Sequence, residues 1–152
     1  MSLSTSSFAA LALLMFLTGI GIPIMATFNS GLGTQLGSPA AASLILFVVG
    51  GLLAGAILLF VGTPSAESFH FERPYLYTGG FFVLFYILSI TFAGPRMGIG
   101  NAVFFVLLGQ LVAAAIIDHY GLWGALKAEL TLRRVAGIVL MAIGVYLARK
   151  TV

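Results

Sequence analysis

The chain has 152 residues, 61% of them hydrophobic and only 7% charged, with a mean hydropathy of +1.15; a soluble domain so short of polar surface would aggregate, so the composition points to several membrane crossings. No cysteine and two histidines exclude a disulfide framework and leave too little to build a zinc, haem or iron–sulfur site, so no metal and no cofactor is expected. The net charge of +3 comes from basic residues placed beside apolar runs, where they suit anionic lipid headgroups rather than nucleic acid.

Five apolar segments give an all-α integral membrane fold in a single transmembrane domain over 1–152, with spans at about 8–28, 40–61, 76–93, 97–118 and 135–150. About 20 apolar residues at a rise of about 1.5 Å cross a hydrocarbon core of about 30 Å. Span one, Phe8 to Phe28, opens like a signal peptide, but it lacks a basic leader and its apolar run continues to Phe28, which favours a membrane span. Pro23 inside it removes a ladder hydrogen bond and predicts a kink that exposes backbone carbonyls. Asn29 to Pro39 reads as a glycine-rich turn, with Ser38 as an N-cap and Pro39 at the first helical position.

Span two, Ala40 to Val61, carries Gly51 and Gly55 at small-xxx-small spacing. The loop Gly62 to Tyr75 holds Glu67, His70, Glu72 and Arg73 and reads as a solvated face. Span three, Leu76 to Ala93, is aromatic, and the phenol of Tyr86 deep inside it requires a hydrogen-bonding partner. Gly94 to Gly98 predicts a tight turn containing Arg96. Span four, from Met97 to Asp118, is uncharged up to Ile117 and contains Asn101 and Gln110, amides that must be hydrogen-bonded in hydrocarbon. Nine residues apart, they point to roughly opposite faces, so at most one faces a given cavity, and Gln110 is preferred. His119 to Leu132 is an interfacial connection in which Trp123 suits the headgroup level. Span five, Val135 to Ala148 extended by its flanks, ends at the anchors Arg149 and Lys150, and Gly137 and Gly144 share one of its faces.

The distribution of charge is the sharpest clue. With five spans, one face of the membrane receives Arg73, Lys127, Arg133 and Arg134, and the other Arg96, Arg149 and Lys150. Four against three is almost no bias, whereas a chain of fixed orientation carries a clear excess on one side. Balanced charge permits insertion both ways, and two copies of opposite orientation form an inverted repeat. The expected assembly is an antiparallel homodimer of ten helices. In it Arg96 of one protomer shares a membrane face with Asp118 of its partner, so the two are candidates for a cross-protomer gate pair.

The residues GGFFVLFYILSITFAGPRMGIGNAVFFVLLGQLVAAAIIDHYGLWG and LRRVAGIVLMAIGVYLARK, with NSGLGTQLGSPAAASLILFVVGG near the start, resemble the drug/metabolite transporter superfamily, and within it the YdcZ-type half-size members with five spans. Gly109 with Gln110 and the run Ile117 to Gly121 carry the resemblance most specifically. It implies a bacterial inner-membrane protein that dimerises or pairs with a sister half. The pair Gly137 and Gly144 is similar to the glycine seam by which small multidrug resistance exporters associate, which implies a dimerisation role. Those exporters use a glutamate in the first span, and here no span interior holds an Asp, Glu, Lys, Arg or His. Without a carboxylate at depth, proton-coupled export of quaternary cations is disfavoured, and a neutral, zwitterionic or amphipathic solute fits better.

The expected activity is secondary transport of a small organic solute by alternating access, with Asn29, Tyr86, Asn101 and Gln110 as substrate contacts and Pro23 as the bend. The alternatives are a dual-topology small-ion channel, allowed by Phe104 and Phe105, and a non-transporting half that needs a sister subunit. An enzyme is not expected, because no nucleophile and base occur at depth. The partners implied are a second copy of the chain, membrane lipid and the solute.

Overall fold

The computed structural model describes residues 5–69 and 71–148, and among these the regular structure is entirely helical. Five α-helices follow one another: α1 (Thr5–Gln35), α2 (Pro39–Val61), α3 (Gly79–Met97), α4 (Ile99–Tyr120) and α5 (Leu132–Ala148), with 3₁₀ turns at Ala66–Ser68, Pro74–Thr78 and Leu122–Gly124. Helix is what apolar runs adopt where no water can take their amides. Four stretches, Thr5–Gln35, Pro39–Val61, Pro74–Met97 and Ile99–Tyr120, are long and apolar enough to cross a membrane. α5 has 17 described residues, about 25 Å of helix. The expected anchors Arg149 and Lys150 lie outside the described residues, as does His70 of the loop after α2.

The chain divides into two compact units between Arg96 and Met97. In the first unit, α1 packs on α2 through a tight connection. The Leu36 and Ser38 amides donate to the carbonyls of Leu32 (2.9 Å) and Gly33 (3.0 Å), and Gly37 adopts φ 63°. Ser38 then caps α2 from an extended conformation, its Oγ accepting from the Ala41 amide at 3.2 Å, with Pro39 following at the helix start.

Helix boundaries depart from the sequence reading at the end of α1 and at the end of α3. α1 continues past Phe28 to Gln35, so of the expected turn from Asn29 to Pro39 only residues 36–38 remain a turn, and the part up to Gln35 is helical. Its polar side chains are compatible with helix because they have acceptors: Thr34 Oγ1 donates to the Ser30 carbonyl at 2.9 Å, and Asn29 and Ser30 bond to α3. α1 is also one helix through Pro23. The proline has no amide, so the Gly19 carbonyl loses its usual partner, while Thr27 Oγ1 donates to the Pro23 carbonyl at 2.8 Å. α3, in turn, runs on through Pro95 to Met97, and the break comes at Gly98, φ 84°. A proline in the last turn costs the helix a single bond, the one to the Thr91 carbonyl.

In the second unit α4 ends at Gly121 in the left-handed conformation, φ 62°. The connection folds back over that end. The Ala128 amide donates to the Asp118 carbonyl at 2.9 Å, the Leu130 amide to His119 Nδ1 at 3.0 Å, and Arg134 Nη2 to Asp118 Oδ2 at 2.6 Å. These bonds place the start of α5 beside the end of α4. Buried apolar side chains are few and mostly small: Ala26, Ala42, Ile87, Ile90, Ala102 and Ala115. Large apolar residues such as Phe60, Phe81 and Leu147 stay exposed, as expected of helices that meet lipid or other helices.

Candidate functional site

The buried polar side chains of the described residues are Asn29, Ser30, Ser43 and Thr91. Three of them meet where α1 crosses α3. Asn29 Nδ2 donates to Thr91 Oγ1 at 2.5 Å, and Ser30 Oγ donates to the Ile90 carbonyl at 3.4 Å. Asn29 and Gly33 are one helical turn apart and so share a face, which lets the helices approach closely. A Cβ at Gly33 would lie 2.7 Å from Thr91 Cγ2, so only glycine leaves room for that methyl group. Ser43 bonds locally, to the Pro39 carbonyl at 2.8 Å.

Two cavities flank this crossing. One, of about 370 Å³, is a groove between α1 and α2 lined by Gly21, Ile24, Met25, Phe28, Asn29, Leu32, Ile45, Leu46 and Val49. Asn29 is its one polar side chain. The other, of about 380 Å³, is lined by Gly33, Thr34, Gly37, Pro39, Thr91, Pro95 and Arg96. Because Asn29 lines the first and Thr91 the second, their hydrogen bond stands between the two. Arg96 is exposed; its Nη1 donates to the Phe92 carbonyl and its guanidinium carbon lies 3.7 Å from the centroid of the Phe92 ring.

Tyr86 lies half-buried on α3, and its buried hydroxyl has no hydrogen-bond partner among the described residues. In the second unit Asn101 is half-buried, its Nδ2 donates to the Met97 carbonyl at 2.8 Å, and it lines a cavity of about 400 Å³ with Gly98, Phe104 and Ala148. Gln110, the amide preferred from the sequence, is exposed on α4 and lines none of these cavities. Gly144 borders a further apolar cavity of about 300 Å³ with Leu108 and Met141. Among the described residues, nothing lies within 4 Å of a Cβ built at Gly137 or Gly144. Asp118 is engaged by Arg134 of its own chain, and a cross-protomer pair with Arg96 would have to displace it.

Among the described residues, no group of three or more His, Asp or Glu could hold a metal ion. Sequence reasoning singled out Asn29 but passed over its partner Thr91, together with Ser30 and Gly33. A hydroxyl within an apolar run was the one signal available for Thr91, and the same run offers Ser89, which is exposed. The chain matches, over residues 10–147, the family model described as "Putative inner membrane exporter, YdcZ". It matches no curated protein and no solved structure.

Proposed function

The chain belongs to the family described as "Putative inner membrane exporter, YdcZ", and from that premise we propose that it is a secondary transporter of a small organic solute. It works in a bacterial inner membrane as an antiparallel, dual-topology dimer of ten helices, five from each copy, by alternating access. The observation that carries this reading is the Asn29–Thr91 hydrogen bond between an apolar groove and a more polar cavity. An amide bonded across two helices can exchange its partner for a solute without leaving a charge in hydrocarbon. A neutral, zwitterionic or amphipathic solute therefore suits it, with Tyr86 and Asn101 as further polar contacts and Gln110 as a contact to be tested.

The dimer rests on two supports. One is the near-equal split of basic residues between the two faces of a five-span chain. The other is incompleteness: no residue of the most apolar stretch of α1 or of α2 is buried within the chain, and a solute path through a bilayer has to be enclosed by protein. A second copy in the opposite orientation supplies that wall and makes inward-facing and outward-facing states equivalent, with Gly137 and Gly144 as the seam. The test is a pair of C-terminal reporters, one active only inside the cell and one only outside, followed by solute counterflow in vesicles of purified protein. Signal from both reporters together with saturable counterflow is expected. Signal from one side alone would remove the self-assembled inverted dimer and direct attention to a sister half, and conductance without saturation would replace the transporter by a channel.

A further inference from the structure

The cavity beside Arg96 is electrostatically unbalanced. Within the described residues of the first unit the carboxylates are Glu67 and Glu72, both in the loop that precedes α3, while Arg96 lies in the last turn of that helix. The length of α3 separates them by about 25 Å, well beyond the screening distance of about 8 Å at physiological salt. Arg96 has a carbonyl and a ring face as partners, which fix the guanidinium without neutralising it. Among the described residues its Nε and Nη2 donors meet no acceptor. A second positive feature points at the same place: α2, 23 residues long, starts at Pro39 on the cavity wall, and a helix N-terminus carries about half a positive charge.

A third observation is independent of both. Thr91 lines this cavity and is 2% exposed. Its Oγ1 accepts from Asn29, but its own hydroxyl proton has no acceptor among the described residues. A buried O–H donor that gives its proton to nothing calls for an acceptor in the cavity it borders. Three donors or positive groups thus converge on one space with no anion among them.

We propose that this cavity binds an oxyanion, the carboxylate or phosphate group of a small molecule, held by the Arg96 guanidinium and the Thr91 hydroxyl at the start of α2. As a statement about the transported solute it rests on the transport reading above, and it narrows the class to zwitterions and amphipathic anions that carry such a group. As a statement about binding it stands alone. The same chemistry can be supplied by the phosphate of an anionic lipid, and the experiment separates the two sources.

Purified protein in an uncharged maltoside detergent is titrated at constant ionic strength with inorganic phosphate and, separately, with acetate. A parallel sample is placed in nanodiscs of phosphatidylcholine with and without phosphatidylglycerol. Melting is followed by far-UV circular dichroism. The expected result is a rise in melting temperature with phosphate or acetate, and an apparent affinity lowered about 10- to 100-fold in Arg96→Gln, the loss of a charge-assisted contact. Arg96→Lys, which keeps the charge and loses the fork, should retain part of the effect; it decides the matter if Arg96→Gln does not fold. Stabilisation by phosphatidylglycerol alone, abolished by Arg96→Gln, upholds the site and identifies its occupant as a lipid headgroup. No shift with any of these anions, or equal shifts in native protein and Arg96→Gln, overturns the proposal. Binding is read without transport, so a chain that binds but shows no counterflow would overturn the transport reading and leave this site in place.

Discussion

Replacing Gly33 by alanine places a methyl carbon 2.7 Å from Thr91 Cγ2, 3.5 Å from the Pro39 Cα and 3.7 Å from the Ala42 Cβ. Carbon atoms rest at about 3.5–4.0 Å, so the first contact is the one that must give. Thr91 cannot turn aside easily: it is β-branched, 2% exposed and holding Asn29 through its hydroxyl. Relief therefore requires α1 and α3 to separate by about 1 Å, enough to weaken the 2.5 Å bond between Asn29 and Thr91. Overpacking of this kind costs about 1–3 kcal/mol, and loss of an interhelical bond in a membrane protein about 0.6 kcal/mol. Against these stands a gain of about 1 kcal/mol from helix propensity. The net expectation is a loss of about 1–2 kcal/mol, measured by unfolding in mixed micelles with sodium dodecyl sulfate and followed by far-UV circular dichroism. Gly31→Ala, on the same helix with nothing within 4 Å of the added carbon, should be neutral or slightly stabilising. The double variant Gly33→Ala/Thr91→Ser, which removes the opposing methyl group and keeps the hydroxyl, should be no less stable than Thr91→Ser alone. If Gly33→Ala proves as stable as Gly31→Ala, or if the serine gives no relief, the close approach inferred at this crossing is wrong.

Three further outcomes are expected. Asn29→Leu fills the groove wall but leaves the buried Thr91 hydroxyl without its donor, so stability should fall by about 1–2 kcal/mol and counterflow should be lost; unchanged counterflow would exclude Asn29 from the solute path. His119→Leu removes the acceptor of the Leu130 amide and should speed hydrogen exchange at that amide by about 3- to 10-fold, as expected for a bond worth about 1 kcal/mol, with Asn in its place restoring protection if its side-chain oxygen reaches the same position. Asp118→Asn breaks an ion pair whose side chains are 34% and 35% exposed; solvent screening limits the cost to under about 1 kcal/mol, and a loss above 2 kcal/mol in the same unfolding assay would show that the pair is more buried in the membrane than in the isolated chain.

The sequence made the helical, membrane-spanning class plain, because nothing but helix satisfies amides along apolar runs of about 20 residues. It also made plain the Ser38–Pro39 entry to α2, which is a local matter of one hydroxyl and one ring. Helix ends were less legible. Asn29 and Ser30 look like turn residues until their acceptors on Thr91 and Ile90 are known, and those lie 62 and 60 positions further along the chain. Pro95 looks like a terminator, yet in a last turn it forfeits little. Thr91 carried no pattern of its own. What makes it matter is the absence of a side chain at Gly33, and a gap on one helix is not written into the residues of another.

The length of α1 sets the depth at which this crossing operates. Its 31 residues extend about 46 Å, against a hydrocarbon layer of about 30 Å. With the expected first span, Phe8 to Phe28, in that layer, Asn29 would lie at its edge and Gly33 and Thr34 among the headgroups. The bond to Thr91 would then belong to the boundary between oil and water and not to the bilayer midplane. Hydrophobic thickness becomes a physical control on it: longer acyl chains draw the crossing into hydrocarbon and strengthen its polar contacts, while shorter ones leave them wet and easily exchanged.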